Sequence, residues 1–119
     1  MIFEPFEVVV VPFPFTDRIG AKRRPSLIVS SDAFNRRHDQ VVLAMITTAQ
    51  KSEWPSDVPL EEWSAAGLST ICRVRLKLFT LDRDLILRRL GLLTQRDRTA
   101  VQTALSQSLA VEKPNQSSV

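Results

Sequence analysis

The sequence has 119 residues, of which 44% are apolar and 24% charged, and its formal net charge is +3. A chain of this length and composition is predicted to fold as one domain with its own hydrophobic core, residues 1–111, followed by a flexible polar tail at 112–119. Its single cysteine excludes an internal disulfide, and a single cysteine with a single histidine argues against a structural zinc site, a His-based metal centre and a Ser-His-Asp triad.

Charge is distributed unevenly along the chain. Residues 17–38 contain six cations and two acids, whereas residues 53–62 contain four acids and no cation. This separation predicts one basic face, which is typical of a protein that binds a polyanion. A basic surface without a partner is the alternative. Because the N-terminal residues resemble neither a signal peptide nor a membrane span, we expect a cytoplasmic protein.

The first half of the chain is predicted to form three buried strands. Each is a short β-branched or aliphatic segment: residues 7–11, 26–30 and 41–46. Pro12 and Pro14 are expected to end the first strand or to restrict it to a sheet edge. Between the second and third strands, Ser31 and Asp32 are expected to cap a short helical turn that runs through Arg37.

The second half is predicted to begin with a short helix at 60–66, ended by Gly67 as its C-cap. Residues 69–78 then form the strand with the clearest alternation, with an apolar face that includes Cys72. The opposite face carries three cations, Arg73, Arg75 and Lys77. These cations are candidates to contact a polyanion or a protein partner, or to face solvent.

A further strand at 85–93, with Gly91 at a bulge, precedes the last predicted element. Thr94 and Asp97 resemble a capping box, and the helix that follows has an apolar stripe of Val101, Ala104, Leu105 and Leu109. Short strands followed by one helix predict a mainly β (α+β) fold: a small, strongly bent antiparallel sheet or barrel packed against a C-terminal helix.

The first candidate functional residue is Arg24, in the run Lys22-Arg23-Arg24-Pro25. Proline biases the residue before it toward extended backbone, so Arg24 is held at the start of a strand. Its planar guanidinium binds two phosphate oxygens at once, which a lysine does not do. The alternative is an ion pair between Arg24 and Asp17 that orders the loop.

Thr47 and Thr48 stand where the third strand meets a loop. A hydroxyl held at a strand end donates a hydrogen bond to an anionic oxygen whose charge grows in the transition state. The alternative is that both threonines only begin a turn. His38 is interpreted either as a proton shuttle or as a solvated surface residue beside two arginines, and Cys72 is expected to pack in the core.

Several segments together resemble the MazF/PemK-type toxins of bacterial type II toxin–antitoxin systems. VVVPFPFTDRIGAKRRPSLIVS, residues 9–30, is similar to the family signature, in which a strand and a loop lead to an arginine–proline pair. AMITTAQ, residues 44–50, is similar to the strand-end threonine motif. The likeness covers about residues 6–110. One departure is Phe6-Glu7, where members of the family commonly have Gly-Asp.

The resemblance implies a dimer built on an SH3-like barrel (CcdB/PemK-like) and a metal-independent endoribonuclease that a cognate antitoxin holds inactive. The family's functional arginine corresponds to Arg24 and its functional threonine to Thr47, with Thr48 as the fallback. Neither a metal nor a cofactor is expected. The further residues expected to bind substrate are Asp17, Lys22, Arg23, Thr48, Arg73 and Arg75.

The chemistry of RNA is consistent with so few catalytic groups. RNA carries its own nucleophile, the 2′-hydroxyl, so a ribonuclease needs only to align it and to stabilise the pentacoordinate phosphorane. The expected products are a 2′,3′-cyclic phosphate and a 5′-hydroxyl. Single-stranded RNA is the expected substrate because its bases are accessible, and an acidic, disordered segment of the antitoxin is the expected protein partner.

Two other functions are compatible with the same sequence. The first is a non-catalytic toxin of the CcdB type, which shares the fold and binds DNA gyrase. The second is a basic nucleic-acid-binding module without toxicity. The arginine–proline and Ile-Thr-Thr motifs favour the nuclease, because a gyrase-binding protein does not need this arginine–threonine pair.

Overall fold

Alternation of short β-branched segments with turn-forming residues produces a sheet protein that ends in one helix. The structure is a computed structural model that describes residues 3–13, 22–48, 50 and 52–111. Its elements are β1 (Glu7–Phe13), β2 (Lys22–Ile28), α1 (Asp32–His38), β3 (Gln40–Thr47), β4 (Val58–Pro59), β5 (Arg73–Asp82), a 3-10 turn (Arg83–Leu85), β6 (Arg88–Leu92) and α2 (Gln95–Ser108).

The six strands form one antiparallel sheet in the order β4-β5-β3-β2-β1-β6, curled into a half-barrel. The predicted fold class, a mainly β SH3-like barrel with a C-terminal helix, is confirmed. None of the helices in the described ranges is long and apolar enough to cross a membrane.

Apolar side chains pack on both faces of the sheet. One face, with Val8, Leu27 and Val74, forms the larger core against α2 and the segment before β5. The opposite face forms a second cluster that includes Val9 and Leu43. As predicted, Cys72 is buried in the larger core, and its burial raises the pKa of the thiol.

Pro12 and the ends of the strands differ from the sequence prediction. β1 is an inner strand that continues through Pro12 to Phe13, so Pro12 neither ends the strand nor lies on an edge strand. The sheet tolerates Pro12 because β6 pairs with β1 only as far as Val10. β2 begins at Lys22, four residues before the predicted start. Pro14 lies outside the described residues.

The predicted helix at 60–66 is wrong in type, although its cap is right. This segment forms a series of turns, and Gly67 has the left-handed φ of +88°. The Leu68 N–H donates to the Trp63 carbonyl (3.1 Å) and the Gly67 N–H to the Ser64 carbonyl (3.0 Å). This is the pattern that ends helices at glycine, formed here without a helix before it.

Gly91 lies at a β-bulge, as predicted, where the register between β1 and β6 shifts. The bulge brings β6 against the turn that ends at Gly67. A Cβ on Gly67 would lie 2.3 Å from the Leu90 carbonyl oxygen, and one on Gly91 would lie 2.4 Å from the Ala66 carbonyl oxygen. Both positions therefore require glycine because backbone lies against backbone.

The helix caps are confirmed, with one difference in the role of an acid. Ser31 caps α1 and Thr94 caps α2. The Asp97 carboxylate, which is fully buried, accepts hydrogen bonds from the N–H groups of Glu61 and Glu62 (3.1 and 2.9 Å). Asp97 therefore ties α2 to the turn segment and does not complete a capping box. Leu109, predicted on the apolar stripe, follows the helix and is exposed.

Candidate functional site

Arg24 lies in β2, opposite Val11 of β1, and its side chain is exposed. Its guanidinium carbon lies 5.5 Å from the centre of the Phe13 ring, within the range of a cation–π contact. Among the residues that the structure describes, no acidic side chain forms an ion pair with Arg24. The alternative partner named above, Asp17, lies outside the described residues.

Pro25 explains why the sheet opens beside Arg24. The Val29 N–H donates to the Val42 carbonyl of β3 (2.9 Å), and alternate amides along a strand point to the same neighbour. The amide four residues earlier therefore also faces β3, but it belongs to Pro25, which has no N–H. Consistent with this, the β2–β3 pairing ends at Ser26–Met45 although both strands continue.

Thr47 is the last residue of β3 and lies beyond this opening. Continuing the Ser26–Met45 register by two residues sets Arg24 opposite Thr47. Residues opposite each other in an antiparallel pair project from the same face of the sheet. Arg24 and Thr47 therefore project from one face across the gap between β2 and β3.

Thr47 also lines an open cavity of about 230 Å³ at the end of β3. Residues around it include Thr48, Gln50, Thr70, Ile71 and Arg73. Arg73 lies opposite Thr47 in the β3–β5 ladder. Thr47 is half-buried and Thr48 is exposed, so the cavity presents hydroxyl groups and one guanidinium to solvent.

Two arginines of β5 are held by an acid from the loop before β4. The Asp57 carboxylate accepts two hydrogen bonds from Arg75, from Nε (3.0 Å) and from Nη2 (2.8 Å). It also forms an ion pair with Arg73 Nε at 3.1 Å. The pKa of Asp57 is lowered from its ordinary value, chiefly by the hydrogen bond from Arg75 and further by the backbone N–H of Trp54 and the charge of Arg73, although burial acts in the opposite direction. The hydrogen bond to Asp57 in turn raises the pKa of Arg75.

The predicted cationic face of β5 is therefore not a row of free charges. Arg73, Arg75 and Lys77 do lie opposite the apolar face that contains Val74. However, Arg75 is only 9% exposed and is fully engaged by Asp57 and Ser52. The acidic segment 53–62 thus neutralises part of the basic strand. That Arg73 and Arg75 bind substrate stays a prediction.

Trp54 completes this cluster. The Arg75 guanidinium carbon lies 5.2 Å from the centre of the indole ring, and the side chain of Trp54 remains exposed. Neither Trp54 nor Asp57 was predicted from the sequence, and neither was the contact of Phe13 with Arg24. The only signal for Asp57 in the sequence was an acidic segment without cations, residues 53–62, that precedes a strand with three cations.

The other candidate residues are dispersed. Lys22 and Arg23 are exposed at the start of β2, opposite Phe13 and Pro12. Because side chains alternate along a strand, Arg23 projects from the face opposite to Arg24. His38 is exposed at the end of α1, which follows the other end of β2. This position favours the interpretation of His38 as a solvated surface residue over that of a proton shuttle.

Phe6-Glu7, the departure from the family pattern, places a phenylalanine where the backbone conformation suits glycine. Phe6 has a φ of +67°, a conformation that glycine adopts without strain. Glu7 is buried, forms an ion pair with Arg89 and accepts a hydrogen bond from the Glu4 N–H.

Within the described ranges, no three His, Cys, Asp or Glu side chains converge as a set of metal ligands.

Comparison with known proteins supplies the family. The model of the family described as PemK-like, MazF-like toxin of type II toxin–antitoxin system matches residues 4–109. A search of curated proteins finds no match.

Solved structures share the fold over nearly the whole chain. An endoribonuclease in complex with its cognate antitoxin, from a mycobacterial species, is 25% identical, with a TM-score of 0.72 over 95% of this chain and 98% of that one. A second mycobacterial endoribonuclease is 23% identical, with a TM-score of 0.73 over 96% and 97%. MazE–MazF from Deinococcus radiodurans is 22% identical, with a TM-score of 0.72 over 94% and 100%.

Proposed function

Because the chain belongs to the PemK-like, MazF-like toxins of type II toxin–antitoxin systems, we propose that it is an endoribonuclease. It cleaves single-stranded mRNA at specific sequences in the cytoplasm, without a metal ion. The observation that carries this proposal is the position of Arg24 and Thr47, which project from one face across the gap where the β2–β3 ladder ends. A guanidinium and a hydroxyl that project from the same face of the sheet are suited to bind an RNA phosphate.

Arg24 has the stronger electrostatic role in this mechanism. As the 2′-hydroxyl attacks phosphorus, negative charge grows on the non-bridging oxygens, and a guanidinium stabilises it through two parallel hydrogen bonds. The Phe13 ring lies within cation–π range of the Arg24 guanidinium, a contact that restricts the arginine side chain. Arginine is a poor general acid because its pKa exceeds about 12, so charge stabilisation is its role here.

Thr47 donates a second hydrogen bond to the phosphate. Its backbone is fixed by pairing with Arg73 of β5, so the hydroxyl is held in place before the substrate binds. A preorganised donor is effective because it does not reorient during the reaction. Cleavage by the 2′-hydroxyl leaves a 2′,3′-cyclic phosphate on one product and a 5′-hydroxyl on the other.

The proposed partners follow from the family. A homodimer places two such gaps on one particle, and the neutralising antitoxin presents an acidic, disordered segment that covers the site and its exposed cations. Lys22, exposed at the start of β2, is proposed to contact the RNA backbone, and so is Arg23 from the opposite face of the strand. Thr48 and Asp17 are proposed as further substrate-binding residues.

Incubation of the purified protein with a long RNA in EDTA tests the proposal, with cleavage sites mapped by primer extension. Cleavage at a short recurring sequence, with cyclic phosphate ends, is expected. Loss of cleavage on addition of EDTA would contradict the metal-independent mechanism. Inhibition of DNA gyrase by a protein that leaves RNA intact would instead support the CcdB-type function.

A further inference from the structure

Trp54 is an exposed aromatic side chain with no role in the mechanism above. Its relative exposure is 40%, although an indole buries a large apolar area when it packs in a core. It is not part of either apolar cluster of the sheet. An exposed aromatic ring beside cationic groups is a common feature of surfaces that bind single-stranded nucleic acid.

The backbone that carries Trp54 is fixed by hydrogen bonds, and one face of the indole ring is in contact with Arg75. The backbone N–H of Trp54 donates to the Asp57 carboxylate (3.1 Å), and the backbone N–H of Asp57 donates to the Trp54 carbonyl (2.9 Å). Asp57 in turn fixes Arg75, whose guanidinium lies against the indole. Since Arg75 covers one face, the exposed area of the ring lies on its other face and edge. A rigid ring loses little conformational entropy on binding.

Trp54 also lies near the proposed catalytic gap. Arg75, on which the indole rests, is opposite Met45 in the β3–β5 ladder, two residues before Thr47. Met45 and Thr47 project from the same face and are about 7 Å apart along the strand. The indole therefore lies on the same face of the sheet as the hydroxyl that is proposed to contact the phosphate, on the β5 side of it.

We propose that Trp54 is a specificity-determining residue whose exposed face stacks on one unpaired base of the RNA beside the scissile phosphate. This inference rests on the proposed function and deepens it, because it specifies how the same site selects single-stranded substrate. A base in a duplex has its faces covered by its neighbours, so only an unpaired, unstacked base fits against the ring. The Asp57–Arg75 pair acts as a positioning pair for this ring.

Cleavage kinetics of three variants test the role of the ring. Trp54→Ala is expected to raise KM by about 5- to 150-fold, since stacking contributes about 1–3 kcal/mol per base and 1.4 kcal/mol corresponds to tenfold. Because the contact is made in the bound substrate, kcat is expected to change less than KM. Trp54→Phe keeps a π-face and is expected to stay within about threefold of wild type. Trp54→Leu keeps apolar bulk without a π-face and is expected to behave like Trp54→Ala.

Fluorescence provides a second readout that does not depend on turnover. The chain has two tryptophans, and Trp63 is half-buried against the larger core, so Trp63→Phe leaves Trp54 as the only reporter. The probe is an oligonucleotide that spans a mapped cleavage site and is 2′-O-methylated throughout, which blocks the nucleophile. Stacking is expected to quench Trp54 emission, whereas the matched Trp54→Phe protein, which reports only Trp63, is expected to show no quenching.

The outcomes separate this inference from the proposed function. If the wild type cleaves RNA, and Trp54→Leu does so with unchanged KM and Trp54 is not quenched, the base-stacking role is overturned while the nuclease stands. If these variants bind RNA normally but bind the antitoxin weakly, Trp54 is a contact for the antitoxin and the inference is overturned. If the wild type cleaves no RNA, there is no cleavage site for the probe to span, and both proposals fail.

Discussion

Asp57 holds Arg75 by two hydrogen bonds to the same guanidinium, 3.0 and 2.8 Å long, across the edge of the sheet where β4 meets β5. Both side chains are nearly buried. The pair fixes the loop that carries Trp54 over the face from which Thr47 projects. Removal of Asp57 would leave Arg75 nearly buried and without an acidic partner among the described residues, which proteins tolerate poorly.

This pair predicts a specific dependence of stability on pH. The pKa of Asp57 in the folded state is lowered from its ordinary value of 3.8, chiefly by the hydrogen bond from Arg75. The unfolded state therefore binds the proton more readily, so the stabilisation is present above about pH 4 and is lost as pH falls through the lower, folded pKa. We expect Asp57→Asn to be less stable than wild type at pH 7 by about 3 kcal/mol.

Urea denaturation at pH 7 and at about pH 3 checks this prediction. The difference in the free energy of unfolding between wild type and Asp57→Asn is expected to shrink at the lower pH. Asp32→Asn is the matched control, because Asp32 forms an exposed ion pair with Arg36 that contributes little. A difference that stays constant across this range would show that the charge of Asp57 is not the cause.

The guanidinium of Arg24 is expected to be required for turnover. Arg24→Ala should lower kcat by at least about a hundredfold, the usual effect of removing one donor to a developing negative charge. Arg24→Lys keeps the charge but loses the two-pronged contact, so an intermediate loss is expected. Arg37→Ala, on α1 at the far end of β2, removes one exposed charge as a control. Wild-type cleavage by folded Arg24→Ala would exclude the mechanism.

The two threonines at the end of β3 are distinguished by the same assay. Thr47→Val replaces the hydroxyl with a methyl group of similar size and is expected to lower kcat about a hundredfold. Thr48→Val is expected to affect KM more than kcat, because Thr48 follows the strand and lies on the cavity wall. A larger loss of kcat in Thr48→Val would mean that the register places Thr48, and not Thr47, against the phosphate.

Gly67 and Gly91 are expected to be intolerant of a side chain. An added Cβ at Gly67 meets the Leu90 carbonyl oxygen at 2.3 Å, in a backbone conformation that alanine adopts with strain. Gly67→Ala should lower the free energy of unfolding by about 2–4 kcal/mol, and Gly91→Ala, whose φ is not positive, by about 1–3 kcal/mol. Ala65→Ser adds one atom at an exposed position of the same turn, where a change within about 0.5 kcal/mol is expected.

At Phe6, the glycine variant is expected to be more stable than the alanine variant, which is the reverse of the usual order. Both Phe6→Ala and Phe6→Gly lose the buried ring, but only alanine retains a Cβ at a φ of +67°, which costs about 1–2 kcal/mol. This cost offsets the extra unfolded-state entropy of glycine, about 0.4–1 kcal/mol. At Phe3, buried and without a positive φ, alanine is expected to be the more stable variant. The free energies of unfolding are measured by urea denaturation. If alanine were the more stable variant at both positions, the strain at Phe6 would be contradicted.

Local patterns in the sequence were sufficient for most of the fold, and they named Arg24 and Thr47 as the candidate site residues. β-branched segments predicted β1, β2 and β3, and the caps at Ser31 and Thr94 were confirmed because a cap depends on residues three positions apart. Arg24 and Thr47 were found from the family motif. Nothing in that motif states that their side chains share a face, which follows only from the register of β2 and β3.

Long-range pairing decided what the sequence by itself left open. Composition and periodicity determined a small β-rich domain with a C-terminal helix and placed an arginine and a threonine at strand ends. Only the tertiary structure engaged Arg75 with Asp57, tied Asp97 to the turn segment and made Pro25 the point where two strands separate. The reason is physical: alternation and capping act between neighbours in the chain, whereas an ion pair or a strand register joins residues that only the folded sheet brings together.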